Sequence, residues 1–133
     1  MKTILFLTLI LLTFACTEDE KTQNQKPESL IEIKDGIFTE YYPGKKAIKF
    51  QGAQDKDNER HGKWAFFAEN GTELSITHYL NGKKDGHTIV KYPNGAIYYY
   101  GEYRNDQKVG IWKTYDTKGK LVEEKNFTLD EGL

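Results

Sequence analysis

One interval organises this chain. Gly62, Gly86 and Gly110 lie 24 residues apart, and so do Gly71, Gly95 and Gly119. Tyr79, Tyr103 and Phe127 keep the same interval, as do Leu74, Tyr98 and Val122, and Trp64 and Trp112 are two intervals apart. Several independent columns in one register mean a small structural unit repeated along the chain, each copy covering its neighbour. A weaker first copy starts near Phe38, where Tyr42-Pro43-Gly44 parallels Tyr92-Pro93-Asn94-Gly95. Gly44 to Gly62 is three residues longer than the equivalent Gly71–Gly86 interval, which places an insertion within Gln54–Arg60. Terminal copies are often atypical, because one face meets solvent.

Within a unit the pattern is two strands around a turn. Lys63–Phe67 precedes Asn70-Gly71 and then Glu73–Tyr79; the next two units run His87–Tyr92 to Ala96–Tyr100 and Ile111–Tyr115 to Lys120–Glu123. Asn-Gly between strand-like runs predicts a type I′ hairpin, whose two central residues need positive φ. Longer loops, Asn81–Asp85 and Asn105–Val109, are expected to link the units. Strand formers dominate and no helical period appears. The expectation is an all-β antiparallel meander of about eight strands between Ile37 and Phe127, with helix confined to the N-terminal segment.

Met1–Ala15 reads as a secretion signal: Lys2 precedes an apolar run from Ile4 to Phe14. As a helix that run rises about 16 Å, short of a bilayer core of about 30 Å. Small Ala15 suits cleavage before Cys16, the only cysteine of the chain. The Thr13-Phe14-Ala15-Cys16 string resembles the lipobox of bacterial lipoprotein precursors, in the looser form of Bacteroidota, although Thr13 and Phe14 depart from it. The acidic Thr17-Glu18-Asp19-Glu20 resembles the surface-export signal of such lipoproteins, and it also reads as solvated linker. The resemblance implies a lipid anchor at Cys16, an outer-membrane location and possible surface display. The domain reading is residues 1–15 signal peptide, 16–35 lipidated cysteine and polar linker, 36–128 repeat domain and 129–133 tail.

Gly62-Lys63-Trp64 with Asn70-Gly71, the Tyr79–Gly86 run, Tyr92-Pro93-Asn94-Gly95 and the Tyr103–Lys113 run together resemble the MORN-type repeat, in the bacterial variant of the YwqK-like antitoxin family. The likeness spans Phe38–Phe127 and departs at the first-copy insertion and at Asn105-Asp106, where the pattern prefers Asn-Gly. It implies a β-repeat architecture, and as one possible role an antitoxin or immunity protein.

Lys plus Arg is 19 and Asp plus Glu is 20, a net charge of −1. That balance argues against nucleic acid as a partner. Nothing matches a phosphate-cradling loop, a zinc-ligand spacing or a nucleophile elbow, so no catalytic residue, metal or cofactor is expected and the chain reads as a non-enzyme. Closing a hairpin around Asn81–Lys84 would set His78 opposite His87, two imidazoles that still lack further metal ligands. Adjacent Glu123-Glu124 would point to opposite faces, not form an acid–base pair. The aromatics are the candidate site. After Ala15 the chain holds 16 of them against 17 Leu, Ile and Val, and they occupy both strand parities. A sheet folded partly on itself would use them as core; an open face would use them for contact. Tyr98, Tyr99, Tyr100, Tyr103 and Trp112 are the densest cluster. They suit a protein partner, a toxin or envelope component among them, and would also stack on a glycan. The leading expectation is a non-enzymatic envelope lipoprotein whose repeats form a protein-interaction scaffold.

Overall fold

A computed structural model describes residues 29–127. The signal segment, Cys16 and the acidic residues after it lie outside the described residues. Nine strands form one antiparallel sheet in sequence order: β1 (Ile31–Lys34), β2 (Ile37–Tyr41), β3 (Ile48–Gln54), β4 (Arg60–Phe67), β5 (Glu73–Leu80), β6 (Lys83–Lys91), β7 (Ile97–Arg104), β8 (Gln107–Tyr115) and β9 (Leu121–Phe127). The all-β meander expected from the repeat is therefore what forms. It has one strand more than expected, because β1 occupies residues assigned to the linker. Ile31-Glu32-Ile33-Lys34 alternates apolar and polar, the period of a strand, and the Tyr41 hydroxyl donates to Glu32 Oε2 at 3.0 Å across it.

The turns differ from expectation in an informative way. Asn70-Gly71 and Asn94-Gly95 do not form type I′ turns. Each sits in a four-residue turn, Ala68–Gly71 and Tyr92–Gly95, and Asp116–Gly119 repeats it. The glycine N–H donates to the carbonyl three residues back at 2.8, 2.9 and 2.9 Å, and only the glycine has positive φ, at 85°, 85° and 81°. The type I′ turns lie between the units. Asp35-Gly36, Asn81-Gly82 and Asn105-Asp106 are two-residue connections with positive φ at both positions. The expected longer linking loops are thus mostly strand. The insertion falls where the spacing placed it: Asp55–Glu59 joins β3 to β4 with three residues more than the two-residue turns.

The column of Gly62, Gly86 and Gly110 makes bulges. Between β5 and β6 the register passes from Thr77↔Thr88 to Tyr79↔Lys84, so His78 alone faces Asp85, Gly86 and His87. β4 and β8 likewise carry two extra residues against β3 and β7. In all three the bulge holds a column glycine of positive φ, Gly62 at 67°, Gly86 at 103° and Gly110 at 63°.

Substantial contact between elements runs only between consecutive strands. The described sheet is a single layer and does not fold onto itself, so no second sheet shields the aromatics. Burial comes instead from rings lying on the sheet. Trp64 is 2% exposed and Trp112 5%. Trp64 lies across Gly52 on β3 and Trp112 across Gly101 on β7; a Cβ on either glycine would come within 2.2 and 2.3 Å of the indole. Each indole N–H then donates to the carbonyl of the residue after its glycine, Ala53 at 2.8 Å and Glu102 at 3.2 Å. The middle unit uses another solution at the same position. Thr88, 3% exposed, replaces the tryptophan, and Thr77 replaces the glycine opposite. Their hydroxyls meet at 2.7 Å, with Thr88 also donating to the Ile76 carbonyl at 3.2 Å.

Neither Gly52 nor Gly101 has positive φ, so steric exclusion alone should decide substitution there. Gly52→Ala and Gly101→Ala are each expected to destabilise by about 1–3 kcal/mol, the cost of overpacking, read as a lower urea midpoint. Alanine should be nearly neutral if the indole is free to lift away.

Candidate functional site

Alternation and register sort the side chains by face. Phe38, Gly52, Trp64, Thr77, Thr88, Gly101 and Trp112 share one face, and Phe50, Phe66, Ser75, Val90, Tyr99 and Thr114 extend it one pleat further. The opposite face carries Ala65, Ile76, Ile89, Tyr100 and Lys113.

This sorting divides the expected cluster. Tyr99, Tyr103 and Trp112 come together, with ring centroids 5.8 and 4.9 Å from the indole, and Phe127 completes the group at 6.2 Å. Tyr98 joins edge-on to Tyr99 at 5.2 Å and is 41% exposed. Tyr100 is on the other face, stacked on Tyr115 at 6.0 Å. Trp112 is buried beneath its neighbours, so it supports the surface and does not present itself to a partner. The accessible part is a cleft of about 210 Å³ lined by Tyr98, Tyr99, Lys108, Thr114, Glu123 and Lys125, with Trp112 and Phe127 beneath. An equivalent group surrounds Trp64: Phe38 at 5.5 Å, Phe50 at 4.9 Å and Tyr79 at 6.3 Å.

Cations complete both groups, and sequence reasoning missed them. The Arg60 guanidinium lies 4.8 Å from the Phe50 and Trp64 rings and 5.2 Å from Tyr79. Lys84 Nζ lies 4.9 Å from Tyr103, and Lys108 Nζ lies 4.3 Å from Trp112 and 5.3 Å from Phe127. Arg60, Lys84 and Lys108 are themselves 24 residues apart. The signal was therefore present as one more column, and each cation rests on the ring 19 residues later.

His78 and His87 are not opposite each other. The bulge at Gly86 shifts the register, and His78 Nδ1 meets the His87 backbone carbonyl at 3.1 Å. Among the described residues no three His, Cys, Asp or Glu side chains are grouped to hold a metal ion. Glu124 pairs with Lys113 at 3.3 Å on the far face, whereas Glu123 lines the cleft.

Residues 108–128 match the family model of the MORN repeat variant. The match covers β8, its turn and β9, so one β-hairpin is the repeating unit. Moved back by 24 and 48 residues, it falls on β6–β7 and β4–β5. This hairpin is similar to a MORN-type repeat. Comparison with curated proteins and with solved structures returns no match.

Burial raises the phenol pKa of Tyr99 and Tyr103 above the ordinary tyrosine value, and neighbouring tyrosines add to it. A raised folded-state value means the unfolded chain ionises first as pH climbs. Their contribution is fully present below about pH 10 and is lost as pH rises through the folded values. The urea midpoint should therefore fall between pH 9 and pH 11.5, together with phenolate absorbance. Phe substitution at Tyr99 and Tyr103 should flatten that fall, and an unchanged slope would separate the ring cluster from alkaline stability.

Proposed function

We propose that the chain is a non-enzymatic protein of the cell envelope, anchored by lipid at Cys16, whose β repeats act as a protein-binding scaffold. One observation carries the reading. The repeats form a single-layer sheet, and its exposed large apolar side chains include five on the last three strands, Ile97, Tyr98, Ile111, Leu121 and Val122, beside Ile31, Ile33 and Ile37 on β1 and β2 and Leu80 on β5. Apolar surface left in water by a rigid platform is the usual mark of a protein contact. Tyr98 beside the cleft adds a large, fairly rigid ring with a polar edge.

The anchor and the outer-membrane address rest on the sequence: a charged residue, a short apolar run, Ala15 before Cys16 and a polar stretch after it. The likeness to YwqK-like antitoxins makes an envelope-acting toxin one partner to test by rescue of poisoned cells.

Replacing Cys16 by Ser should move the protein from the membrane fraction to the soluble one. Crosslinking in intact envelopes should capture a protein partner. Tyr98→Ala combined with Val122→Lys should remove that crosslink while leaving the free energy of unfolding within about 0.5 kcal/mol of the parent, as surface changes do. A Cys16→Ser protein that stays with membranes would contradict the anchor. A crosslink that survives the double substitution would contradict the surface.

A further inference from the structure

Most cations are held differently on the two faces of the sheet, the Lys49–Glu40 pair at 2.6 Å near Phe50 on the tryptophan face being the exception. On the face of Ala65 and Tyr100, lysines are matched with carboxylates: Lys63 and Lys91 with Glu73 at 3.5 and 3.1 Å, and Lys113 with Glu124 at 3.3 Å. On the tryptophan face, Arg60, Lys84, Lys108 and Lys125 rest on aromatic rings. Among the described residues none of these four lies within ion-pair distance of a carboxylate. A net charge near zero hides this segregation.

The row is also periodic. Arg60, Lys84 and Lys108 lie in the first two positions of equivalent strands, β4, β6 and β8, which are second neighbours in the sheet. Second-neighbour strands are about 9.5 Å apart, so three cations recur at that spacing across the strands. Each ring beneath a cation limits where it can go, and cation–ring attraction leaves the charge able to meet an anion from outside. Two nearby acidic side chains are turned to the backbone, Asp106 accepting from the Lys84 N–H at 2.8 Å and Asp85 from the Asn105 N–H at 3.2 Å, while Glu123 lines the cleft with Lys108 and Lys125, beyond ion-pair distance of either. Glu59 lies over Gly82.

We infer that this face binds a linear acidic polysaccharide laid across the strands, with its carboxylates or sulfates on Arg60, Lys84 and Lys108. A site repeated by translation is matched by a ligand repeated by translation, and an acidic group on every second sugar ring recurs at about two strand spacings. Sugar rings between the charges meet the edges of Tyr79 and Tyr103. Nucleic acid fits less well, because both indoles lie beneath other side chains and cannot stack on bases. The inference goes beyond the protein-binding reading and uses a different set of residues.

The test uses the full chain purified in neutral detergent, with hyaluronan oligomers as probe, since they carry one carboxylate per disaccharide. Dextran, poly-glutamate and anionic phospholipid vesicles form the other arms. Binding to hyaluronan is expected, weakening with added salt, and none to dextran. Lys84→Gln with Lys108→Gln should weaken it about fivefold to tenfold. Lys84→Arg with Lys108→Arg should retain it, and Lys63→Gln with Lys91→Gln on the other face should leave it unchanged. No hyaluronan binding, equal loss from either glutamine pair, or binding to vesicles or poly-glutamate in preference to hyaluronan would overturn the inference. Envelope crosslinking to a protein would stand or fall separately.

Discussion

The structure depends on an indole lying flat across a glycine of the neighbouring strand. A single-layer sheet has no opposing sheet to bury its apolar surface, so it must do so within its own pleats. Trp64 on Gly52 and Trp112 on Gly101 achieve this because a missing Cβ lets a broad ring approach the backbone. The indole N–H, which would otherwise be buried without a partner, finds the next carbonyl. The bulge beside each tryptophan, with Gly62 or Gly110 at positive φ, belongs to the same arrangement. Two smaller ties run between units: the Tyr42 hydroxyl donates to the Phe67 carbonyl at 2.8 Å, and that of Tyr92 to the Tyr115 carbonyl at 3.0 Å. Both tyrosines precede a proline, which fixes the turn that carries them.

From this follows the difference between the faces. The tryptophan side is largely a surface of rings, and Arg60, Lys84, Lys108 and Lys125 settle on them, while Lys49 reaches Glu40. The other side carries Ala65, Ile76 and Ile89 beside the stacked Tyr100 and Tyr115, and its lysines reach carboxylates instead. The chain is nearly neutral overall, yet one surface offers unpaired positive charge in a row. Charge balance over the whole composition therefore says little about what either face would attract.

Much of this was legible in the sequence. The 24-residue columns gave the hairpin unit, its strand content and the place of the insertion at Asp55–Glu59. Less legible was which turn is which. Asn-Gly suits a two-residue turn and also the last two positions of a four-residue one, and only the strand ends distinguish Asn81-Gly82 from Asn70-Gly71. Tyr100 was grouped with Tyr99 because they adjoin in sequence, although alternation sends neighbours to opposite faces. The bulges displaced His87 from His78, since strict pairing cannot register two extra residues. Arg60, Lys84 and Lys108 form a column in the sequence, but a cation resting on a ring leaves no mark in hydropathy. The Gly opposite Trp pairing was hidden too: Gly52 and Gly101 are 49 residues apart, one more than the tryptophans they serve.

The middle unit offers the most direct test of the central interaction, since Thr77 and Thr88 occupy the places of a glycine and a tryptophan. A double-mutant cycle on Thr77→Gly and Thr88→Trp, followed by urea unfolding, measures whether the indole needs the glycine. Thr88→Trp alone should destabilise by about 1–3 kcal/mol as an overpacked site, and the double variant should recover most of that loss, a favourable coupling above about 1 kcal/mol. Additive effects, with the double variant as unstable as the two single changes together, would contradict the account.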